Sequence, residues 1–239
     1  MSIAFSLPRR VEPELLDELG ADDPRARQSR ADLRRIHRAM ATLPILRTAL
    51  DQVSSTPPRR ILELGAGDGS LMLRLARQRA RRWPGVHLGL LDRVALVDEQ
   101  TRSSFGGLGW TTEVLATDVF EWLAQPIETG WDIVVANLFM HHFSPAALAG
   151  MLASIAERTR VFFCCEPRRT RMPLLASHLV GLLGANAVTR QDAVLSVHAG
   201  FRGNELSALW PDPERWQLRE YRAGLFSHGF MAARRGQTA

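Results

Sequence analysis

Lysine is absent from the 239 residues, so every basic side chain other than histidine is an arginine. The formal net charge of +5 therefore comes from arginines alone, and these are scattered rather than gathered into one stripe. Many stand four residues from an Asp or Glu, or on the outer face of a helical pattern, as on a solvated surface. Nucleic acid is not the expected partner. Cysteine is nearly absent too. Cys164 and Cys165 are adjacent, so they do not bridge to each other, and no CxxC or Cys/His ligand spacing accompanies them. Neither a zinc site nor another metal is expected, and the pair reads as two small hydrophobes in an apolar run. Long hydrophobic runs are also missing. No stretch reaches the roughly 18 apolar residues of a membrane span, and the richest, Met172 to Val188, is broken by Pro173, His178, Gly184 and Asn186. Met1 to Leu7 carries its arginines after the short apolar stretch rather than before it, unlike a secretory leader. A cytoplasmic protein without stable membrane insertion is the expectation.

What is present is a hydrophobic fraction of 46%, enough for one large core in a chain of this length. Residues 12–53 read as helix, with a break at Gly20-Ala21-Asp22-Asp23-Pro24. Leu33, Ile36 and Met40 recur at helical spacing, and Leu46, Leu50 and Val53 resume it beyond Pro44. The linker Ser54-Ser55-Thr56-Pro57-Pro58 closes this part. The division expected is a helical extension over residues 1–56 and a second unit over 57–239, with the extension lying as a lid packed through Leu33, Ile36 and Met40.

After the linker, short apolar runs alternate with amphipathic stretches. Strands are expected at Arg60 to Leu64, Val86 to Leu91, Val114 to Thr117, Trp131 to Leu138 and Thr159 to Cys165. Helices are expected at Ser70 to Arg82, Val94 to Ser104, Val119 to Ala124 and Pro145 to Arg158, the last with Ser144 as N-cap. This alternation predicts an α/β fold, a mostly parallel, doubly wound sheet covered on both faces. Further on, helix is expected over Arg171 to Gly184, a connector over Ala187 to Gly200, and a short helix from Asn204 to Leu209. Two strands, Trp216 to Tyr221 and Leu225 to Ala233, close the chain as an antiparallel pair.

The segment Glu63-Leu64-Gly65-Ala66-Gly67-Asp68-Gly69 carries the chemistry. A buried strand runs into three alternating glycines and then a helix, the place where such a sheet opens its ligand crevice. Glycine serves there because the backbone takes positive φ and lets a ligand come close. Glu63 is out of place beside a pyrophosphate but suits a ligand with an amino group and a sulfonium. Asp92 closes the second strand, where a carboxylate accepts from ribose hydroxyls, and Asp118 closes the third, placed for an exocyclic adenine amine. The alternative for Asp118 is the N-cap of the following helix. Three carboxylates at three strand ends fit an uncharged-to-cationic adenosine ligand.

These motifs resemble those of the class I S-adenosylmethionine-dependent methyltransferases. Glu63 to Gly69 resembles the family's first motif, and Asp92, Thr117-Asp118-Val119 and Asp132 to Asn137 fall where its later motifs stand. Asn137-Leu138-Phe139-Met140-His141-His142-Phe143 is similar to the segment after strand 4 in the small-molecule branch that includes ubiquinone/menaquinone methyltransferases. The resemblance runs from about Arg59 to Arg234. It implies a seven-stranded Rossmann-like sheet in the order 3-2-1-4-5-7-6 with strand 7 antiparallel, and S-adenosyl-L-methionine as cofactor. It further implies that Gly65, Gly67 and Gly69 line the methionine moiety and Glu63 helps hold its amino group. Asp92 would bind the ribose and Asp118 the adenine, with Asn137 and the backbone of Leu138 near the sulfonium. Ala66, Arg93 and Val119 flank these positions and complete the implied cofactor-binding set. For Asn137 a pure turn role is the other reading.

Methyl transfer needs a base only where the acceptor loses a proton. His141 and His142 follow strand 4 at the mouth of the crevice and are the candidate catalytic pair, His142 ahead; packing or capping at the loop is the alternative. Glu166 ends strand 5, and of Arg168, Arg169 and Arg171 after it one is a candidate for holding a substrate carboxylate, with surface roles expected for the others. His178 and His198 are expected to be structural. Phe139, Met140, Phe143, Phe201 and Trp210 are candidates to wall an apolar acceptor pocket. The expected activity is O-methylation of a small aromatic, quinol or polyketide-like acceptor, with C- or N-methylation as the alternative. A nicotinamide-binding (NAD(P)) oxidoreductase is the reading from another class; Glu63 and the missing Tyr-x-x-x-Lys pair stand against it. A small-molecule acceptor is the only expected partner, and a homodimer stays open.

Overall fold

Arg60–Leu64 (β1) is buried along almost its whole length, as a strand covered by helices on both faces must be. The computed structural model describes residues 7–52 and 56–236. The linker residues Ser54 and Ser55, the helix end at Val53 and residues 1–6 of the N-terminal stretch lie outside the described residues. The other strands are His87–Asp92 (β2), Thr111–Ala116 (β3), Trp131–Asn137 (β4), Thr159–Pro167 (β5), Trp216–Ala223 (β6) and Ser227–Arg234 (β7). They form one sheet in the order β3-β2-β1-β4-β5-β7-β6. All pairs are parallel except β5–β7 and β6–β7. The predicted α/β class, strand order and antiparallel seventh strand hold.

The helices are Leu15–Glu18 (α1), Pro24–Ala39 (α2), Thr42–Asp51 (α3), Ser70–Arg79 (α4), Glu99–Gly107 (α5), Val119–Leu123 (α6), Pro145–Arg158 (α7), Arg171–His178 (α8) and Ala187–Ala199 (α9). Successive strand residues face opposite sides, so the sheet divides two cores. On one side Ile61, Ile133 and Cys165 meet Leu46, Leu50, Met72, Leu75 and Phe105 of α3, α4 and α5. On the other, Leu62, Val134 and Cys164 meet Leu148, Leu152 and Ile155 of α7, with Trp210 and Trp216. Both cysteines are fully buried and unpaired. Among the described residues no helix is long and apolar enough to cross a membrane.

Several boundaries differ from the sequence expectations, each for a local reason. α5 starts at Glu99, because Asp98 caps it by accepting from Thr101 N at 2.7 Å. β3 begins at Thr111 rather than Val114, its early residues paired with β2. The expected connector over Ala187 to Gly200 is the helix α9, started by Asn186, whose side chain accepts from Thr189 N. Its apolar residues do not line one face; it is held by polar contacts, which a hydrophobic pattern does not register. Conversely, Asn204 to Leu209 is not an α-helix but turns ending in a 3-10 turn at Ser207–Leu209. There Glu220 accepts from the amides of Leu206 and Ser207.

The N-terminal segment is tied down by polar groups. Arg9 donates to the carbonyls of Ala199, His141 and Phe143 at 2.7, 3.1 and 2.9 Å. Asp192 of α9 accepts from the amides of Leu15 and Leu16 at 2.8 and 3.0 Å, capping α1. α2 meets α9 through Asp32, which accepts from Asn186 N at 2.7 Å and Thr189 Oγ1 at 3.2 Å. The buried face of α2 is thus Ala26, Ser29 and Asp32. Leu33, Ile36 and Met40, expected to make that packing, stay partly exposed.

Candidate functional site

The sheet changes direction of winding between β1 and β4, and the carboxyl ends of these strands open the crevice. At the end of β1, Gly65, Gly67 and Gly69 all take positive φ, at +68°, +54° and +72°. Gly65 is needed twice over: a Cβ there would stand 2.4 Å from Phe139 Cδ2. Gly67 sends its amide to Asp92 Oδ2 at 2.8 Å, while Asp92 Oδ1 accepts from Val94 N at 3.0 Å. The carboxylate ending β2 therefore pins the glycine turn. Ala66 joins the same brace through its amide to the carbonyl of Leu91 at 3.0 Å.

Glu63 is 2% exposed, and its Oε2 has no hydrogen-bond partner among the described residues. Burial pushes its carboxyl well above the ordinary range, and the neighbouring charges of Asp68 and Asp92 push the same way. A buried, unpartnered carboxyl oxygen is costly unless a donor comes to it. Beside it, Asp68 pairs with Arg34 of α2 at 2.9 Å. A cavity of about 320 Å³ lies between α2 and α4, lined by Arg34, His37, Arg38, Arg74 and Arg77.

Asp118 caps α6, its Oδ1 accepting from Phe120 N at 2.8 Å, and Val119 is buried behind it as the first helical residue. Arg93 lies exposed at the rim, 3.7 Å from Asp17 Oδ1 of α1. Asn137 ends β4 opposite Cys165. Leu138 then turns the chain at φ +53°, a conformation uncommon outside glycine, and gives its amide to the carbonyl of Cys165.

Glu166 holds that turn. This fully buried carboxylate at the end of β5 accepts from the amides of Phe139 and Met140 at 3.1 and 3.0 Å, and from His141 N at 3.3 Å. It also takes His141 Nδ1 at 2.7 Å. The other nitrogen of His141 lies 3.4 Å from Glu14 Oε1. Burial alone would lower this histidine, but Glu14 and Glu166 outweigh it and hold the ring up to about 9. His142 is the freer of the pair: a quarter exposed, with Nδ1 3.3 Å from Asp17 Oδ2. The two rings lie 4.3 Å apart.

The remaining candidates separate. Met140, Phe201 and Trp210 are core residues, so they do not wall a pocket. Phe139 and Phe143 are only partly buried and meet edge-on at 5.1 Å. Arg169 is not at the surface: 2% exposed, it forms a charged pair with Glu205 and bonds to the carbonyls of Gly200 and Leu7. His178 is exposed and His198 half-buried, each away from the strand ends. Glu14 and Asp17 are members of the cluster that reading along the chain missed. Their only signal is an acidic pair three residues apart, and nothing in the sequence joins residue 14 to residue 141.

The fold is the seven-stranded Rossmann-like arrangement of known methyltransferases. It is similar to the plantazolicin methyltransferase BpumL in complex with SAH, with TM-score 0.65 at 12% identity over 90% of this chain and 92% of that one. The plantazolicin methyltransferase BamL, with a triazolic desmethylPZN analog and SAH, gives 0.61 at 13% identity over 88% and 91%. Magnesium protoporphyrin IX methyltransferase from Synechocystis PCC 6803, with bound SAH, gives 0.53 at 14% over 92% and 91%. No protein-family model matches the sequence, and no curated protein matches it.

Proposed function

We propose that this protein is an S-adenosylmethionine-dependent methyltransferase acting on the hydroxyl of a small aromatic, quinol or polyketide-like acceptor. The observation that carries the proposal is Glu63, a buried carboxyl with an unpartnered oxygen beside a turn of positive-φ glycines. A pyrophosphate brings no donor to that oxygen, whereas an ammonium supplies the missing one. The structural neighbours solved with SAH share this fold, which supports the same reading.

The residues present fit the donor along its length. Glu63 faces the amino group. The arginine-lined cavity next to Asp68 suits the carboxylate of the methionine moiety. Each oxygen of Asp92 accepts one backbone amide and keeps a lone pair for a ribose hydroxyl. Asp118 and Val119 stand at the adenine end, and Asn137 and Leu138 at the sulfonium end. When bound, the donor would supply a methyl group already activated on a sulfonium, for transfer to the acceptor oxygen with the neutral thioether as leaving group.

The chain's own task is then to align the acceptor and keep water out. Phe139 and Phe143 offer the aromatic wall. His142, held through Nδ1 by Asp17, is placed to take the hydroxyl proton; His141, engaged by carboxylates at both nitrogens, positions the turn. The segment 9–18 crosses the rim from α9 to Arg93 and serves as the cover.

Titration calorimetry tests the donor. S-adenosylhomocysteine should bind in the micromolar range and NAD(H) should not, and the reverse would overturn the proposal. His142→Ala should slow turnover by a factor on the order of 10² or more while leaving S-adenosylhomocysteine affinity unchanged; an unaltered rate removes His142 from the chemistry.

A further inference from the structure

We infer that Glu14, His141 and His142 form a binding site for a divalent transition-metal cation at the open edge of the sheet. The site stands on these residues themselves; only what the cation does there rests on the methyltransferase reading. One donor atom from each residue lies within 4.8 Å of the other two. His141 Nε2 and Glu14 Oε1 are 3.4 Å apart, longer than a good charged hydrogen bond. Two ligands held about 2.1 Å from a tetrahedral cation are spread to about the same 3.4 Å.

The surroundings are those of a coordinating pair of imidazoles. His141 Nδ1 is taken by Glu166 at 2.7 Å, and Glu166 is fixed by three backbone amides. His142 repeats the pattern with Nδ1 3.3 Å from Asp17. A carboxylate behind the far nitrogen orients a metal-binding histidine and fixes which nitrogen is presented. With its Nδ1 proton donated to Glu166, His141 presents Nε2 toward Glu14, and a cation binding there displaces the Nε2 proton. Glu14, Asp17 and Glu166 also set three carboxylates around the two imidazoles. Two imidazoles with one carboxylate suit zinc and its first-row neighbours rather than magnesium or calcium.

Three protein ligands leave the cation an open coordination position. His142 is the most exposed member, at 26% against 13% for Glu14 and 3% for His141, so that position opens on its side. With His142 a ligand of the cation rather than the base of the metal-free reading, an acceptor hydroxyl bound there loses its proton to solvent. Its oxygen then bonds to the methyl carbon as the carbon–sulfur bond breaks, and that electron pair returns to sulfur. The acceptor class implied is a phenol or enol able to ligate through oxygen.

The test uses the untagged full chain, stripped with a chelator and titrated with Co²⁺ by visible absorption and with Zn²⁺ by calorimetry. One equivalent should bind in the micromolar range or tighter. Glu14→Gln and His142→Ala should each weaken binding by at least about tenfold, while His87→Ala, at the opposite edge of the sheet, leaves it unchanged. No stoichiometric binding, or binding indifferent to both variants, overturns the inference. S-adenosylhomocysteine titrated into the same preparation separates the two readings: a protein that binds it but no cation sinks the cation site alone, and one that binds the cation but not S-adenosylhomocysteine sinks the methyl donor alone.

Discussion

Gly67 and Asp92 are joined by a 2.8 Å hydrogen bond from the glycine amide to a carboxylate oxygen, across the gap between β1 and β2. The residue proposed to bind the ribose thus also sets the shape of the turn proposed to receive the methionine moiety. Asp92→Ala should therefore lose both functions. Two amides lose a charged acceptor, which should cost about 1–3 kcal/mol in urea denaturation. Calorimetry should show S-adenosylhomocysteine affinity falling at least tenfold, about 1.4 kcal/mol. Asp92→Asn, which keeps one carbonyl oxygen, should fall between.

Glu63 predicts a proton count. In the free protein its carboxyl is raised well above the ordinary value by burial and by Asp68 and Asp92. An arriving ammonium stabilises the carboxylate, lowers the pKa and expels the proton. Calorimetry of S-adenosylhomocysteine near neutral pH, in buffers of different ionisation enthalpy, should show net proton release, and Glu63→Gln should abolish it. The same raised pKa means this group destabilises the free protein as pH rises from the unfolded carboxyl value through the folded one.

Gly65 and Phe139 should be coupled. Gly65→Ala adds a Cβ 2.4 Å from the ring at a positive φ, and should cost about 1–3 kcal/mol. Phe139→Ala in the same chain should recover part of that loss, leaving the backbone share. Thermal denaturation of the two single variants and the double variant checks this; strictly additive effects would contradict the contact.

Glu220 ties the closing hairpin to the loop before it. Burial alone would raise its carboxyl, but His228 at 2.7 Å and the amides of Ser207 and Leu206 hold it below the ordinary value. A depressed carboxylate contributes stability that is present above its unfolded pKa and fades as pH falls through its folded pKa. Glu220→Gln should therefore destabilise at neutral pH, by about 2–4 kcal/mol given the buried partner left behind. The difference from wild type should shrink in acid.

The sheet was legible because its strands announce themselves twice. Ile61, Leu62 and Leu64 form a short apolar run, and Gly65 to Gly69 end it with residues only a tight turn needs. The acidic strand ends Asp92 and Asp118 are likewise visible by position. α9 was not legible, since Asn186, Thr189 and Asp192 hold it through hydrogen bonds that leave no periodic stripe. Arg169 reads as a surface charge because its partner, Glu205, stands 36 residues away. The histidine cluster depends on Glu14 and Asp17 arriving from a separate helix, a placement fixed by Asp192 and Arg9 rather than by local spacing.

Cys164 and Cys165 occupy neighbouring positions of β5 yet belong to different sides of the sheet. A thiol reagent reaches neither in the closed molecule. Each sulfur is exposed only when its own helical layer lifts, so two consecutive residues act as separate clocks for the two halves of the protein. Alkylation located by fragment ions that divide the chain between the two residues would rank which layer opens first, and the chain has no lysine to compete for the reagent.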